Sequence, residues 1–260
     1  MSPVVRDLPT ELERERVEAA LGAHDDWFYE FNFANGASSG LVDPFLKTTH
    51  ETRADLVFPV LDQTFGGRWS DVDCLDMACH QGWFAMQTAL RGVKRVHGID
   101  VRPDHVARAQ LVSDLAGLRN TSFELRNLFD LDPQRDGVFD LTLFLGILYH
   151  LEDPVRALKK ARAMTGEMCV IETQVAHPSP PLSYMWGPDP NPRSGSAIAV
   201  GRLDEHHAAE GGAVVLVPTL EALFDLLDAV GFKNVRQAEP PPGAQPQYAS
   251  GDRVILFAEA

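Results

Sequence analysis

The chain has 260 residues, 45% of them apolar, with a formal net charge of −14 and a pI near 5.0. That size allows one large domain or two small ones around a sizeable core. The acidic balance argues against a broad polyanion-binding surface and hence against a nucleic-acid partner, and no apolar run reaches the roughly 18 residues of a membrane span.

Residues 1–18 are charged and lack the apolar stretch of a secretory leader. Thr10-Glu11-Leu12-Glu13 has the form of a capping box and predicts a helix to about Gly22, with Leu12, Val17, Ala20 and Leu21 as a narrow apolar stripe. An aromatic stretch follows, Trp27-Phe28-Tyr29-Glu30-Phe31-Asn32-Phe33, with two readings. It is a lid, with Trp27 touching a substrate, or a cover packed on the rest of the fold. A helix is expected over 50–65, burying Leu56, Val57, Val60 and Leu61.

An alternating pattern then takes over. Strands are predicted over 72–77, 95–100, 121–125, 139–144 and 168–173, and helices over 83–90, 103–116 and 154–164. Pro103 and the pair Asp153-Pro154 mark helix starts. The near-continuous apolar run over 139–144 fits a strand covered on both faces. From 176 to 212 the regularity fails, because Pro178, Pro180, Pro181, Pro188, Pro190 and Pro192 exclude continuous helix or central strand. A loop of that length is a functional lid or is disordered. Pro218-Thr219 opens a last helix with Leu220, Leu223, Leu227 and Val230 on one face, ended by Gly231. Strands over 232–237 and 253–258 close the chain. The expected division is an N-terminal extension or cap over 1–66 and an α/β domain over 67–260, with a lid insertion at about 176–216. Cys74, Cys79 and Cys169, an odd count in apolar contexts without metal spacing, fit a reducing, cytoplasmic setting.

The chain is organised around Asp73-Cys74-Leu75-Asp76-Met77-Ala78-Cys79-His80-Gln81-Gly82. A buried strand ends on a carboxylate, turns through small residues and enters a helix; the next strand ends on Asp100. An acid at the tip of each of two neighbouring strands is how an open α/β sheet holds a nucleoside-containing cofactor. A dinucleotide fingerprint would need glycine where Ala78, His80 and Trp83 stand, and Trp83 at the close-packing position is a strong objection. A strand-tip carboxylate suits a cationic, phosphate-free nucleoside better than a pyrophosphate, and Asp100 can accept both hydroxyls of a ribose.

From about 72 to 173 these residues resemble the class I S-adenosylmethionine (SAM)-dependent methyltransferases, whose first motif is Asp-x-Gly-x-Gly-x-Gly. Here it reads Asp76-Met77-Ala78-Cys79-His80-Gln81-Gly82. The resemblance implies a Rossmann-like seven-stranded α/β sheet with helices on both faces, and SAM as cofactor. It places Asp76, Ala78, His80, Gly82 and Trp83 around the methionine end, Asp100 and Val101 at the ribose, Asn127 and Leu128 at the adenine, and Leu145 and Tyr149 beside the methionine portion. Phe144-Leu145-Gly146-Ile147-Leu148-Tyr149-His150, Val170-Ile171-Glu172-Thr173, Val217-Pro218-Thr219-Leu220 and Arg253-Val254-Ile255-Leu256 are similar to the bacterial tRNA wobble-uridine carboxymethyltransferases and their uncharacterised relatives. Those enzymes hold a carboxylated SAM through a Lys, a Tyr and an Arg. Tyr149 and Arg253 match the latter two; the stretch over 32–40, where the Lys would fall, has no cation. One missing cation and the acidic charge favour ordinary methyl transfer to an O or N of a small metabolite or natural-product intermediate. A tRNA-modifying (carboxy)methyltransferase and a non-catalytic SAM-fold binding protein are the alternatives.

Methyl transfer is an in-line displacement that needs alignment at about 3–3.5 Å, helped by a general base when the acceptor is a hydroxyl. His150, after the fourth strand, is the base candidate or else a structural residue; Tyr149 orients substrate. Glu172, Gln174, His177, Trp186, Arg253 and Trp27 are the acceptor-contact candidates, with Tyr184 and Met185 beside them. Asp204-Glu205-His206-His207 resembles a ligand cluster by composition alone, and no metal is expected. A small-molecule acceptor is the expected partner, and a homodimer is compatible with the composition.

Overall fold

A computed structural model describes residues 4–176, 198–202 and 214–260. Seven strands form the central sheet: β1 (Asp73–Met77), β2 (Arg95–Asp100), β3 (Thr121–Leu125), β4 (Phe139–Leu145), β5 (Thr165–Gln174), β8 (Lys233–Gln237) and β9 (Arg253–Glu259). Their spatial order is β3-β2-β1-β4-β5-β9-β8. The first five run parallel, and β9 is antiparallel to both β5 and β8. The order reverses between β1 and β4, so the carboxyl ends of these neighbours leave the crevice where open α/β sheets take ligands.

Side-chain alternation along each strand builds two cores. Cys74, Leu141, Leu143, Leu145, Val170, Ile255 and Phe257 face one side. Leu75, Met77, Phe144, Cys169, Ile171, Val254 and Leu256 face the other. Helices α6 (Pro154–Met164) and α7 (Leu220–Ala229) supply Leu158, Ala161, Leu223 and Leu227 to the second side. Both begin on the expected caps, Asp153 and Thr219, whose side chains accept from the Arg156 and Ala222 backbone N–H groups. Helices α3 (Trp83–Ala89) and α4 (Pro103–Leu115) cover the first side.

The N-terminal segment belongs to the same core. Trp27, Tyr29, Phe31 and Phe33 are all buried with α2 (Pro44–Phe65) and α3. Of the two readings of this stretch, the cover is the observed one. The helix expected from Thr10 starts later, as α1 (Arg14–Leu21), with Glu13 at its N-cap and no side-chain capping bond. Thr10 Oγ1 instead donates to the Leu115 carbonyl at 2.8 Å and accepts from Leu12 N at 3.2 Å. A long-range anchor has displaced the local cap. Helix α2 starts earlier than expected, because Asp43 caps it through Phe45 N with Pro44 in its first turn.

The stretch read as irregular holds a strand. β6 (Ile198–Arg202) pairs antiparallel with β7 (Val214–Pro218) in a separate hairpin. β-Branched residues at both strands outweigh the prolines, which lie earlier in the chain. β7 is tied to the turn after β4 by Leu216 N to the Leu151 carbonyl at 3.2 Å. A short helix between β8 and β9, α8 (Pro246–Ala249), capped by Gln245, was also not expected. Among the described residues no helix is long and apolar enough to cross a membrane.

Candidate active site

The motif turn leaves β1 at Asp76 and passes three residues in the left-handed region, Ala78 (φ 62°), His80 (φ 52°) and Gly82 (φ 77°). Each costs a side-chain-bearing residue about 1–2 kcal/mol, so Ala78 and His80 hold a glycine-type backbone without glycine. His80 recovers part of that cost locally. Its Nδ1 accepts from Gln81 N at 2.9 Å, which leaves Nε2 as the protonated nitrogen of a neutral ring. Burial first, then the neighbouring His105, pushes its pKa well down. The ring stacks on His105 at 3.7 Å and on Phe28 at 4.6 Å between centroids. At Gly82 no such compromise exists. A Cβ there would lie 2.8 Å from the Phe123 ring and 2.9 Å from the Ala109 methyl.

Asp76 and Asp100 stand at the adjoining tips of β1 and β2 in opposite states. Asp76 is buried, and its Oδ2 has no hydrogen-bond partner. Burial, and then the charge of Asp100, pushes its pKa up to about 7. Asp100 accepts from His80 N through Oδ2 and from Arg102 N through Oδ1, both at 2.9 Å, with His105 Nδ1 3.3 Å from Oδ1. Burial opposes its charge, but His105 and the two backbone donors more than offset that and hold its pKa below the usual range. One tip therefore wants a cation and the other is a fixed, ionised acceptor. A cationic nucleoside with a ribose diol fits that pair: the orphaned Asp76 oxygen suits an ammonium, and Asp100 suits the hydroxyls. Val101, half-buried, follows Asp100. Asn127 Oδ1 caps the next turn by accepting from Phe129 N at 2.9 Å, and Leu128 is buried beneath it.

A second cluster lies at the ends of β4, β5 and β9. Glu172, fully buried, receives Arg253 Nη1 at 2.7 Å and Tyr248 OH at 2.9 Å on Oε1, while its Oε2 has no hydrogen-bond partner and lies 3.2 Å from Arg53 Nη2 as an ion pair. Arg253 Nη1 also lies 3.3 Å from Tyr149 OH, and its guanidinium sits over the Tyr149 ring at 5.1 Å. Burial works against the Glu172 charge, yet Arg53 and Arg253 keep its pKa below the usual carboxylate range. Leu145 and Gly146 form the adjoining tip of β4, with Gly146 at φ 75°. Tyr149 and His150 follow in the 3-10 turn Leu148–His150, their rings 4.2 Å apart.

The structure therefore gathers Asp76, Ala78, His80, Gly82, Asp100 and Val101 along one crevice, and Leu145, Tyr149 and Arg253 along its continuation. Three expected contacts are corrected. Trp27 is core, its indole N–H donating to the Leu21 carbonyl at 3.1 Å. Trp83 is buried against Tyr29 and donates to the Glu30 carbonyl at 3.1 Å, which makes it a packing residue of α3. Glu172 is sealed among arginines and holds them; it does not reach an acceptor itself. Gln174 is half-buried opposite Arg253 in the β5–β9 register. His177, Tyr184, Met185, Trp186 and the run from Asp204 to His207 lie outside the described residues. Among the described residues no three His, Cys, Asp or Glu side chains converge as a metal site.

Sequence reasoning missed Arg53, His50, Tyr248 and Gln81. Arg53 carried a signal: it falls on the buried stripe of α2, one turn before Val57, where an unpaired charge is not tolerated. The stretch over 32–40 has no cation; α2 brings Arg53 to the same buried carboxylate as Arg253.

Comparisons with known proteins agree with this geometry. Residues 69–181 match the family model of a methyltransferase domain. The tRNA U34 carboxymethyltransferase of Actinobacillus pleuropneumoniae serotype 3 is 27% identical over 169 residues, covering 64% of this chain and 47% of that protein. The same enzyme from Shewanella baltica (strain OS155) is 33% identical over 103 residues, 39% of this chain and 31% of that one. The chain thus spans about half the length, or less, of the curated relatives it matches. Among solved structures, the N-terminal domain of EvdMO1 with S-adenosylhomocysteine (SAH) bound superposes with a TM-score of 0.72 at 18% identity, over 96% of this chain and 98% of that one. Magnesium protoporphyrin IX methyltransferase from Synechocystis PCC 6803 with bound SAM gives 0.56 at 14% identity, over 85% of each chain. Residues 69–181 are therefore a methyltransferase domain, in a chain similar to the tRNA U34 carboxymethyltransferases and, in fold, to structures solved with SAM or SAH bound.

Proposed function

We propose that the protein transfers a methyl group from SAM to an oxygen or nitrogen of a small metabolite or natural-product intermediate. The observation that carries this reading is the pairing of an orphaned, buried Asp76 oxygen with the fully ordered carboxylate of Asp100 on neighbouring strand tips. When bound, SAM supplies an electrophilic methyl group. The chain's residues hold its two ends, align the acceptor and keep water away. The small-acceptor part rests on enclosure and charge. Tyr29, His50 and Arg53 bury the edge from the N-terminal side, and a net charge of −14 opposes a long polyanion. Tyr149 and His150, neighbours in the turn after β4, are the residues proposed to orient an acceptor hydroxyl and take its proton.

A tRNA-modifying transferase is the second reading, favoured by the retained Tyr149–Arg253 contact and by the names of the curated relatives. Calorimetry with SAM and SAH tests the cofactor: binding is expected, and its absence for both ligands sinks either reading. Binding should vanish in Asp100→Ala. Incubation with bulk tRNA at low salt separates the two readings, because a stable complex there would replace the small acceptor with RNA.

A further inference from the structure

Arg53 and His50 lie three residues apart on α2, a spacing that puts both side chains on one helix face about 5–6 Å apart at Cβ. Both are 5% exposed. Arg53 donates from Nε to Tyr248 OH at 3.2 Å, and its Nη2 lies 3.2 Å from Glu172 Oε2 as an ion pair. Its Nη1 and Nη2 both lie 3.8 Å from the position a side chain would take on Gly146, the residue at the tip of β4. The same position lies 3.4 Å from Glu172 Oε2, so the glycine puts no side chain against the guanidinium. His50 packs on Tyr29 at 4.3 Å and Phe28 at 4.9 Å between ring centroids, and its buried Nε2 has no hydrogen-bond partner. Charge does not balance here: two guanidinium groups share the one carboxylate of Glu172. One buried positive charge is left over, and buried charges are normally paired. Burial, then Arg53 and Arg253, pushes the His50 pKa down to about 3. The ring is therefore neutral at working pH, with one nitrogen able to accept.

We propose that Arg53 and His50 form a subsite for a carboxylate that carries a hydrogen-bond donor on its adjacent carbon, the guanidinium taking the carboxylate and His50 Nε2 taking the donor. The chemistry is that of an α-hydroxy or α-amino acid. Its source is a methyl acceptor of that class. The assignment deepens the methyl-transfer reading and rests on it for placing this edge beside the cofactor.

The test titrates the full chain with three probes, L-lactate, propionate and lactamide, reading the His50 ring signal by NMR. L-Lactate should shift that signal and bind about tenfold more tightly than propionate, which lacks the donor, or lactamide, which lacks the charge. Arg53→Gln should weaken L-lactate about tenfold. Arg53→Lys, which keeps the charge should Gln fail to fold, should weaken it less. His50→Phe, which removes the acceptor and keeps a ring, should make L-lactate and propionate equal. An unmoved His50 signal, or equal affinity for L-lactate and lactamide, overturns the subsite. Repeating the titration on SAH-saturated protein separates an acceptor subsite from the cofactor's own site. If SAH blocks L-lactate, the carboxylate is the cofactor's own and the acceptor subsite is overturned. If SAH-loaded protein still binds L-lactate, it is the acceptor's. SAH binding without any L-lactate response removes the subsite alone, and loss of SAH binding removes the methyl-transfer reading by a separate measurement.

Discussion

The side-chain amide of Gln81 receives the backbone N–H of Phe28 at 2.9 Å, and of Tyr29 at 3.3 Å, while its own Nε2 donates to the Asp26 carbonyl at 3.2 Å. One fully buried residue inside the cofactor motif thus ties down the aromatic cover by three backbone groups. The cover in turn stacks Phe28 on His80. Cofactor turn and N-terminal segment are therefore a single unit.

Gln81→Ala leaves two buried donors unsatisfied and should cost about 2–3 kcal/mol. Gln81→Glu keeps the acceptor and, when protonated, a donor for Asp26, so it should recover part of that loss near pH 4 and less near neutrality, where the ionised carboxylate is buried and has no donor. Denaturant unfolding with an unchanged m-value reads both variants. Wild-type stability in Gln81→Ala would show that the cover is held by apolar packing alone.

Gly82 is needed for space as well as for its φ of 77°, since Phe123 and Ala109 occupy the region a Cβ would enter. Gly82→Ala should destabilise by about 2–4 kcal/mol, combining overpacking with left-handed strain. Adding Phe123→Ala should return part of that loss, because the clash partner is gone. Fully additive effects in the double variant would assign the cost to backbone strain.

The same residues explain what the sequence revealed. β2, β3 and α6 matched expectation to the residue; at α6 the pair Asp153-Pro154 marks the start locally. Both strand-tip acids were legible, since a carboxylate ending an apolar strand is a local signal. The Arg53–Glu172–Arg253 cluster was not. Its members are 119 and 81 residues apart in the case of Glu172 with Arg53 and with Arg253, and only tertiary packing brings such groups together. Thr10 failed for the related reason that a contact 105 residues away, to Leu115, outcompeted its local cap. Tyr248 depends on a four-residue helix too short to show a period.

Asp76 should make cofactor binding pH-linked. With a folded pKa near 7 against an ordinary 3.8, the folded chain keeps a proton that the unfolded chain has lost between those values. This group's contribution to stability therefore falls as pH rises through that window and levels off above it. An ammonium placed against Asp76 favours the carboxylate, so SAM binding near about pH 6 should release close to one proton. Calorimetry in buffers of different ionisation enthalpy measures the release, and Asp76→Asn should abolish it. Proton uptake on binding would contradict the assignment of Asp76 to the cationic end.

His150 separates chemistry from scaffolding. His150→Ala should lower turnover about 100-fold or more while leaving SAM affinity unchanged, as expected when a general base is removed. Unchanged turnover would make the ring a support for Tyr149, 4.2 Å away.

Glu172 is the keystone of the buried charges, and its removal should be felt as stability before activity. Glu172→Gln leaves Arg53 and Arg253 facing each other without a counter-charge, and breaking a buried pair in this way costs about 3–5 kcal/mol. Tyr248→Phe removes one neutral donor from Oε1 and should cost about 1–1.5 kcal/mol. Because Arg53 and Arg253 hold the Glu172 pKa below its ordinary 4.5, its contribution is complete above that value and is lost as pH falls through the folded pKa. Wild-type protein should therefore lose stability on acidification below about pH 4.5 more steeply than Glu172→Gln, which has no proton to bind there. Parallel stability–pH curves for the two proteins would mean that Glu172 is not ionised between its arginines.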